Sequence, residues 1–184
     1  FTAAIIINVS GITGSVDNAL ISGNIIENCG VGAFTGAVDG PISGIYISLG
    51  GSFSQSVISN NVIKGGVVDA SISRCIYLES FLGQVKIDGN QCTPFTSAGT
   101  VKDSHGILLY PSTSSRNVSV SNNVVTAKDN LSQLYDKGIF FGLDATGTRY
   151  TFDVTGNTVY GAKETAIHVA FGTTTTNKSV FPPK

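Results

Sequence analysis

The stretch Val57-Ile58-Ser59-Asn60-Asn61-Val62-Ile63 decides the fold. It alternates apolar and polar residues, turns on an asparagine pair, then resumes the alternation. Both halves read as short strands with one buried face, joined by a tight corner. The phrase recurs as Leu20-Ile21-Ser22-Gly23-Asn24, Lys86-Ile87-Asp88-Gly89-Asn90, Ser119-Val120-Ser121-Asn122-Asn123 and Asp153-Val154-Thr155-Gly156-Asn157. The closing asparagines are 37, 29, 33 and 34 residues apart. A strand-and-turn repeat at that interval predicts a solenoid, with each repeat forming one coil stacked on the last.

A second phrase interleaves with the first. Gly44-Ile45-Tyr46-Ile47-Ser48, Cys75-Ile76-Tyr77-Leu78-Glu79, Gly106-Ile107-Leu108-Leu109-Tyr110, Gly138-Ile139-Phe140-Phe141-Gly142 and Ala166-Ile167-His168-Val169-Ala170 align, and Ala4-Ile5-Ile6-Ile7-Asn8 is a sixth copy. Each coil thus holds a first strand, a loop, a second strand, an asparagine corner and a third strand. Alternate side chains of a strand face one side, which predicts four inward columns. These are Ile45, Ile76, Ile107, Ile139, Ile167; Ile47, Leu78, Leu109, Phe141, Val169; Ile21, Ile58, Ile87, Val120, Val154; and Ile26, Ile63, Cys92, Val125, Val159. The asparagines at the corner suit a left-handed backbone and, stacked in register, a ladder of side-chain amides.

Composition agrees with a strand-and-turn protein. Of 184 residues, 41% are hydrophobic and 12% charged, about half the usual charged share. Ser, Thr, Asn and Gly make up the difference, which argues against long helices. A net charge of -1 gives no electrostatic footprint for nucleic acid or an anionic membrane. No apolar run is long enough to span a bilayer, and the opening Ala3-Ala4-Ile5-Ile6-Ile7 is too short for a signal peptide. With no Met, a start inside a strand, and a Thr173–Thr176 run before Pro182-Pro183, the chain reads as an excerpt. It divides into a solenoid over 1–172 and a C-terminal cap or linker over 173–184. Cys29, Cys75 and Cys92 lack metal-ligand spacing, and Cys92 falls in an inward column as a buried thiol. No cofactor or metal motif is present.

These interleaved phrases resemble the recurrent unit of the right-handed parallel β-helix proteins of the pectate-lyase-like kind, over almost the whole chain. The resemblance implies an all-β, single-stranded, right-handed parallel β-helix of about six coils. Within that family, coils rich in Ser, Thr, Asn and Gly look most like bacteriophage tailspikes and polysaccharide depolymerases. What this implies is a homotrimer, on a virion or extracellular, that binds and often cleaves bacterial surface polysaccharide: capsule, O-antigen or exopolysaccharide. Two other readings stay open: a non-catalytic trimeric shaft or carbohydrate-binding module, and a secreted polysaccharide lyase or epimerase. The aspartate triplet of polygalacturonases and the calcium-binding cluster of pectate lyases are missing.

Candidate chemistry lies on the outer face of the first strand. The column Ile6, Tyr46, Tyr77, Leu108, Phe140, His168 forms an aromatic stripe roughly 25 Å long. It is expected either to stack sugar rings or to be buried against a loop or subunit. Beside it, Glu79 points outward between Tyr77 and Tyr110, a setting suited to a general acid. The loops entering this strand are expected to add Arg74, Asp103, His105, Asp136 and Lys137, and the loop leaving it Asp144. Coil spacing permits two carboxylate pairs for glycoside hydrolysis, Glu79 with Asp103 and Glu79 with Asp144. For a lyase, His105, Tyr110 or Lys137 is the candidate base, with Arg74 or a metal stabilising the enolate. Tyr46, Tyr77, Tyr110, Phe140, Arg74 and Lys137 are the candidate sugar-binding residues.

Overall fold

A computed structural model describes residues 2–9, 15–29, 42–49, 53–65, 67–68, 73–81, 83–93, 96–97, 105–111, 117–126, 137–143, 151–162 and 165–171. The first coil holds β1 (Thr2–Val9), β2 (Leu20–Ser22) and β3 (Ile25–Cys29). The second holds β4 (Ile42–Leu49), β5 (Ser56–Ser59), β6 (Val62–Gly65) and the short β7 (Val67–Val68). The third holds β8 (Ser73–Phe81), β9 (Gln84–Asp88), β10 (Gln91–Thr93) and β11 (Thr96–Ser97). The fourth holds β12 (His105–Pro111), β13 (Asn117–Ser121) and β14 (Val124–Thr126). The fifth holds β15 (Lys137–Leu143), β16 (Thr151–Thr155) and β17 (Thr158–Tyr160), and β18 (Thr165–Phe171) opens the sixth.

Every strand pairs in parallel with its counterpart one coil away. The first sheet runs β1-β4-β8-β12-β15-β18, the second β2-β5-β9-β13-β16 and the third β3-β6-β10-β14-β17. The chain is a parallel β-helix of about six coils, and no helix interrupts the described residues. Register is set by the inward columns, because a one-residue slip would turn each strand's apolar side chains outward. Ile45, Ile76, Ile107 and Ile139 are fully buried, as are Ile58, Ile87 and Val120. Each such isoleucine contributes about 1.5–3 kcal/mol through burial. A further inward column, Val85, Val118 and Phe152, shares the second sheet with the predicted one.

The asparagine ladder is present, and its asparagines face inward. Asn61, Asn90 and Asn123 are fully buried. Each side-chain oxygen accepts from both the backbone N–H and the side-chain amide of the asparagine one coil earlier. Asn90 Oδ1 takes Asn61 N at 3.1 Å and Asn61 Nδ2 at 2.9 Å. Asn123 Oδ1 takes Asn90 N at 3.0 Å and Asn90 Nδ2 at 2.9 Å. Each amide also donates to a backbone carbonyl, Asn61 to Ile21, Asn90 to Ile58 and Asn123 to Ile87. Burial of these three polar side chains is thus compensated along the corner.

One expectation about this corner is corrected. The left-handed residue is not the ladder asparagine but the one before it: Gly23, Asn60, Gly89, Asn122 and Gly156, with φ between 54° and 69°. Glycine and asparagine alternate there because both enter that region at low cost. The preceding residue turns the chain, and the ladder asparagine behind it is left in a conformation that points its amide into the coil.

Candidate functional site

Arg74, His105 and Lys137 do not lie in loops as expected. They are strand residues, register partners in one column with Ser43 and Thr165. Cys75 and Ile76, adjacent in the first sheet, both belong to the core. Two successive inward residues shift the alternation, so Arg74 returns to the outer face. Its guanidinium lies 4.2 Å from the centre of the Tyr77 ring. His105 stacks on Phe140 at 5.2 Å, and Lys137 Nζ sits 5.3 Å from the same ring.

The aromatic stripe forms as two ring pairs either side of Leu108, with Tyr46 stacked on Tyr77 at 5.2 Å and Phe140 tilted against His168 at 5.2 Å. It is not an open platform over most of its length. Tyr46 is 4% exposed, Tyr77 5% and Leu108 0%. A sugar ring needs an open aromatic face, so Tyr46 and Tyr77 do not serve as stacking residues in this arrangement. Arg74 and His105 are buried beside them. Burial within the single chain is the outcome for this part of the stripe. Among the described aromatic residues of this face Tyr110 is the most exposed, at 37%; it packs edge-on against Tyr77 and Phe140.

Glu79 is partly exposed at the edge of this cluster. The Tyr46 hydroxyl donates to its Oε2 at 3.1 Å. Burial first, then the negative charge of Glu79, pushes the Tyr77 phenol well above its ordinary value of 10.0. Burial, assisted by the same carboxylate, also raises Tyr46. Both phenols therefore stay protonated near neutrality and act as donors, which ties Glu79 to the cluster as an acceptor. Asp103, Asp136 and Asp144 lie outside the described residues, so the structure does not place the two proposed carboxylate pairs.

A different face carries an open groove. Over the outer side of the second sheet, four coils enclose a depression of about 330 Å³. One wall is the column Gln55, Gln84, Asn117, Thr151, all exposed, and the other is Val57, Lys86, Ser119, Asp153. The strands run across the groove, and coil stacking sets its length at roughly 14 Å along the solenoid axis. Lys86 Nζ is paired with Asp88 Oδ2 at 3.2 Å, so its charge is partly neutralised. Asp153 is the groove's single lining carboxylate among the described residues. The groove therefore offers amide and hydroxyl groups, donors and acceptors together, beside apolar surface that includes Val57, Val85 and Val118, with little net charge.

Alternation within each coil does not mark this groove, although its polar column repeats at a fixed offset in the sequence. Gln55, Gln84, Asn117 and Thr151 each stand three residues before an inward residue of the second strand, Ile58, Ile87, Val120 and Val154. Among the described residues, no three His, Cys, Asp or Glu side chains gather as a metal site. No helix there is long and apolar enough to cross a membrane. The fold and its grooved outer face define a parallel β-helix with an open cleft, apolar in much of its lining and edged by amide and hydroxyl groups. Comparison of the chain with protein-family models, curated proteins and solved structures finds no match.

Proposed function

We propose that this chain is a tailspike-type β-helical module that binds bacterial surface polysaccharide along the groove of the second sheet. The observation that carries the reading is the amide and hydroxyl wall, with Gln84, Asn117 and Thr151 in register over three coils and Gln55 lining the same groove from the coil before. A polymer of sugars repeats hydroxyl groups along its length, and a solenoid repeats partners for them at each coil. The paired Lys86 leaves no cation in surplus within the groove, so a neutral or amino-sugar polymer suits it better than a polyuronate. Capsule, O-antigen and exopolysaccharide of that charge class are the candidates, met from a virion or an extracellular position.

Binding rather than cleavage is the reading the groove supports. Glycoside hydrolysis by the common route needs two carboxylates, and Asp153 stands alone among the described lining residues. A trimeric assembly draws support from a separate observation: Leu20 and Ile25, on outward positions of the first coil, are 70% and 72% exposed. A second and third copy of the chain would cover them.

Titration of the full chain with size-fractionated neutral and acidic bacterial polysaccharides tests the proposal. Saturable binding to a neutral or amino-sugar fraction, weakened tenfold or more in Gln84→Ala/Asn117→Ala, is the expected result. Equal binding by that variant, or a preference for polyuronates, would overturn it.

A further inference from the structure

The corner between the first and third sheets is built from two facing columns. One is Gly44, Cys75, Gly106, Gly138, Ala166 and the other is Ile63, Cys92, Val125, Val159. Where the first column holds glycine, the space is full. A Cβ at Gly44 would lie 2.6 Å from Ile63 Cγ2, at Gly106 2.4 Å from Val125 Cγ1, and at Gly138 2.3 Å from Val159 Cγ1. The third coil alone among these exchanges the sizes: the first strand gains a side chain, Cys75, and the third strand gives up its branch at Cys92.

That exchange puts two thiols face to face. In the neighbouring coils a Cβ on the first column would fall 2.3 to 2.6 Å from a γ carbon on the other. One further Cβ–Cγ bond of roughly 1.5 Å separates facing Cβ atoms by about 4 Å at most, inside the window of a disulfide. Cys75 Sγ donates to the Thr93 carbonyl at 3.4 Å, beside the backbone of Cys92. The Cys92 thiol is held protonated by its contact with Cys75 and by burial. Cys75 is 0% exposed and Cys92 1%, so neither is open to bulky reagents in the closed coil.

We infer that Cys75 and Cys92 are a latent disulfide, a dithiol that a small-molecule disulfide oxidises to a staple closing the third coil. One thiol, deprotonated during a local opening, attacks the reagent and forms a mixed disulfide with release of one reagent thiol. The second protein thiol then displaces the other reagent thiol and forms the Sγ–Sγ bond. Two protein thiols and one small disulfide become one protein disulfide and two small thiols, so atoms and electrons balance. The staple joins the buried faces of the first and third sheets across 17 residues of chain, and it restricts the unfolded chain. Its service would be to an environment that is oxidising, with the reduced coil assembled first.

The test incubates the folded, reduced full chain carrying Cys29→Ser with oxidised glutathione at a pH of about 8. The expected result is an intact mass lower by two hydrogens. Non-reducing trypsin digestion should join the peptide Cys75–Lys86 to Ile87–Lys102, with a higher melting temperature that dithiothreitol reverses. Cys75→Ala, which places in the third coil the residue that Ala166 supplies in the last, should fold and show none of these changes. A folded chain that forms no cross-link, although its thiols react once it is unfolded in urea, would overturn the inference. So would a cross-link that lowers the melting temperature.

Discussion

Asn90 Oδ1 accepts two hydrogen bonds from Asn61, one from its backbone and one from its amide, at 3.1 and 2.9 Å. Both residues are fully buried. Asn90→Ala strips the acceptor from two buried N–H groups and leaves Asn123 Oδ1 with one donor fewer, since the backbone N–H of residue 90 remains. The loss is expected to be about 3 kcal/mol, since each buried polar group without a partner costs about 1–3 kcal/mol. Urea denaturation of the variant checks it, and a change under about 1 kcal/mol would mean the ladder relaxes around the gap.

The residue before each ladder asparagine carries the left-handed turn, so an asparagine there is expected to tolerate replacement by glycine, whereas a glycine is not expected to tolerate alanine. Gly89 has φ 67°, and a Cβ on it would lie 2.7 Å from Asn60 Oδ1. Gly89→Ala should cost about 1–2 kcal/mol. Asn60→Gly, at φ 54°, should change stability by less than about 0.5 kcal/mol. Thermal melts of the two variants side by side give the comparison.

Asp88 gives the fold a sensitivity to acid. Ser121 Oγ donates to its carboxylate at 2.6 Å and Asn122 Nδ2 at 3.0 Å, with Lys86 on the other oxygen. The Ser121 hydrogen bond first, then Asn122 and Lys86, lower its ionisation below 3.8. A carboxyl lowered in the folded state stabilises above its unfolded value and loses that contribution as pH falls through the folded one. Stability should therefore drop below pH 3.8, and Asp88→Asn should flatten the drop. Urea midpoints at successive pH values from neutral to acid measure both.

At the other end of the scale Tyr77 does the same in reverse. Its phenol is raised above 10.0 by burial and by Glu79. The unfolded chain then releases the proton first, so stability present below pH 10 declines as pH rises above it. Tyr77→Phe keeps the ring on Tyr46 and removes the titrating group, so its stability should decline less above pH 10. Chemical denaturation at pH 8 and pH 11 distinguishes the two chains.

Much of this was legible in the sequence because strands bury alternate residues. The inward columns through Ile45, Ile58 and Ile63 follow from period-2 alternation, and the asparagine column from recurrence in register. Counting failed at Cys75 in the first sheet. Cys75 and Ile76 both face the core there, which puts Arg74 on the outer face with Tyr77 although simple alternation would place it with Ile76. The stripe was visible as a column, but its burial depends on what lies over Tyr46, Tyr77 and Leu108, which alternation within a coil does not encode. Gln84 and Asn117 repeat as regularly as the aromatics, yet polar residues on an outer face carry no mark of a groove until the sheet's curvature is known.

The most direct measurement of the proposed function is a map of where a bound glycan touches. Amide chemical shifts of the isotope-labelled chain, followed while a neutral or amino-sugar oligosaccharide is added, provide it. The account predicts saturable shifts confined to Gln55, Gln84, Asn117, Thr151 and their neighbours on the second sheet, with Tyr46, Tyr77 and Glu79 unmoved. Shifts centred on Tyr110 and Glu79 instead, with the second sheet silent, would contradict it.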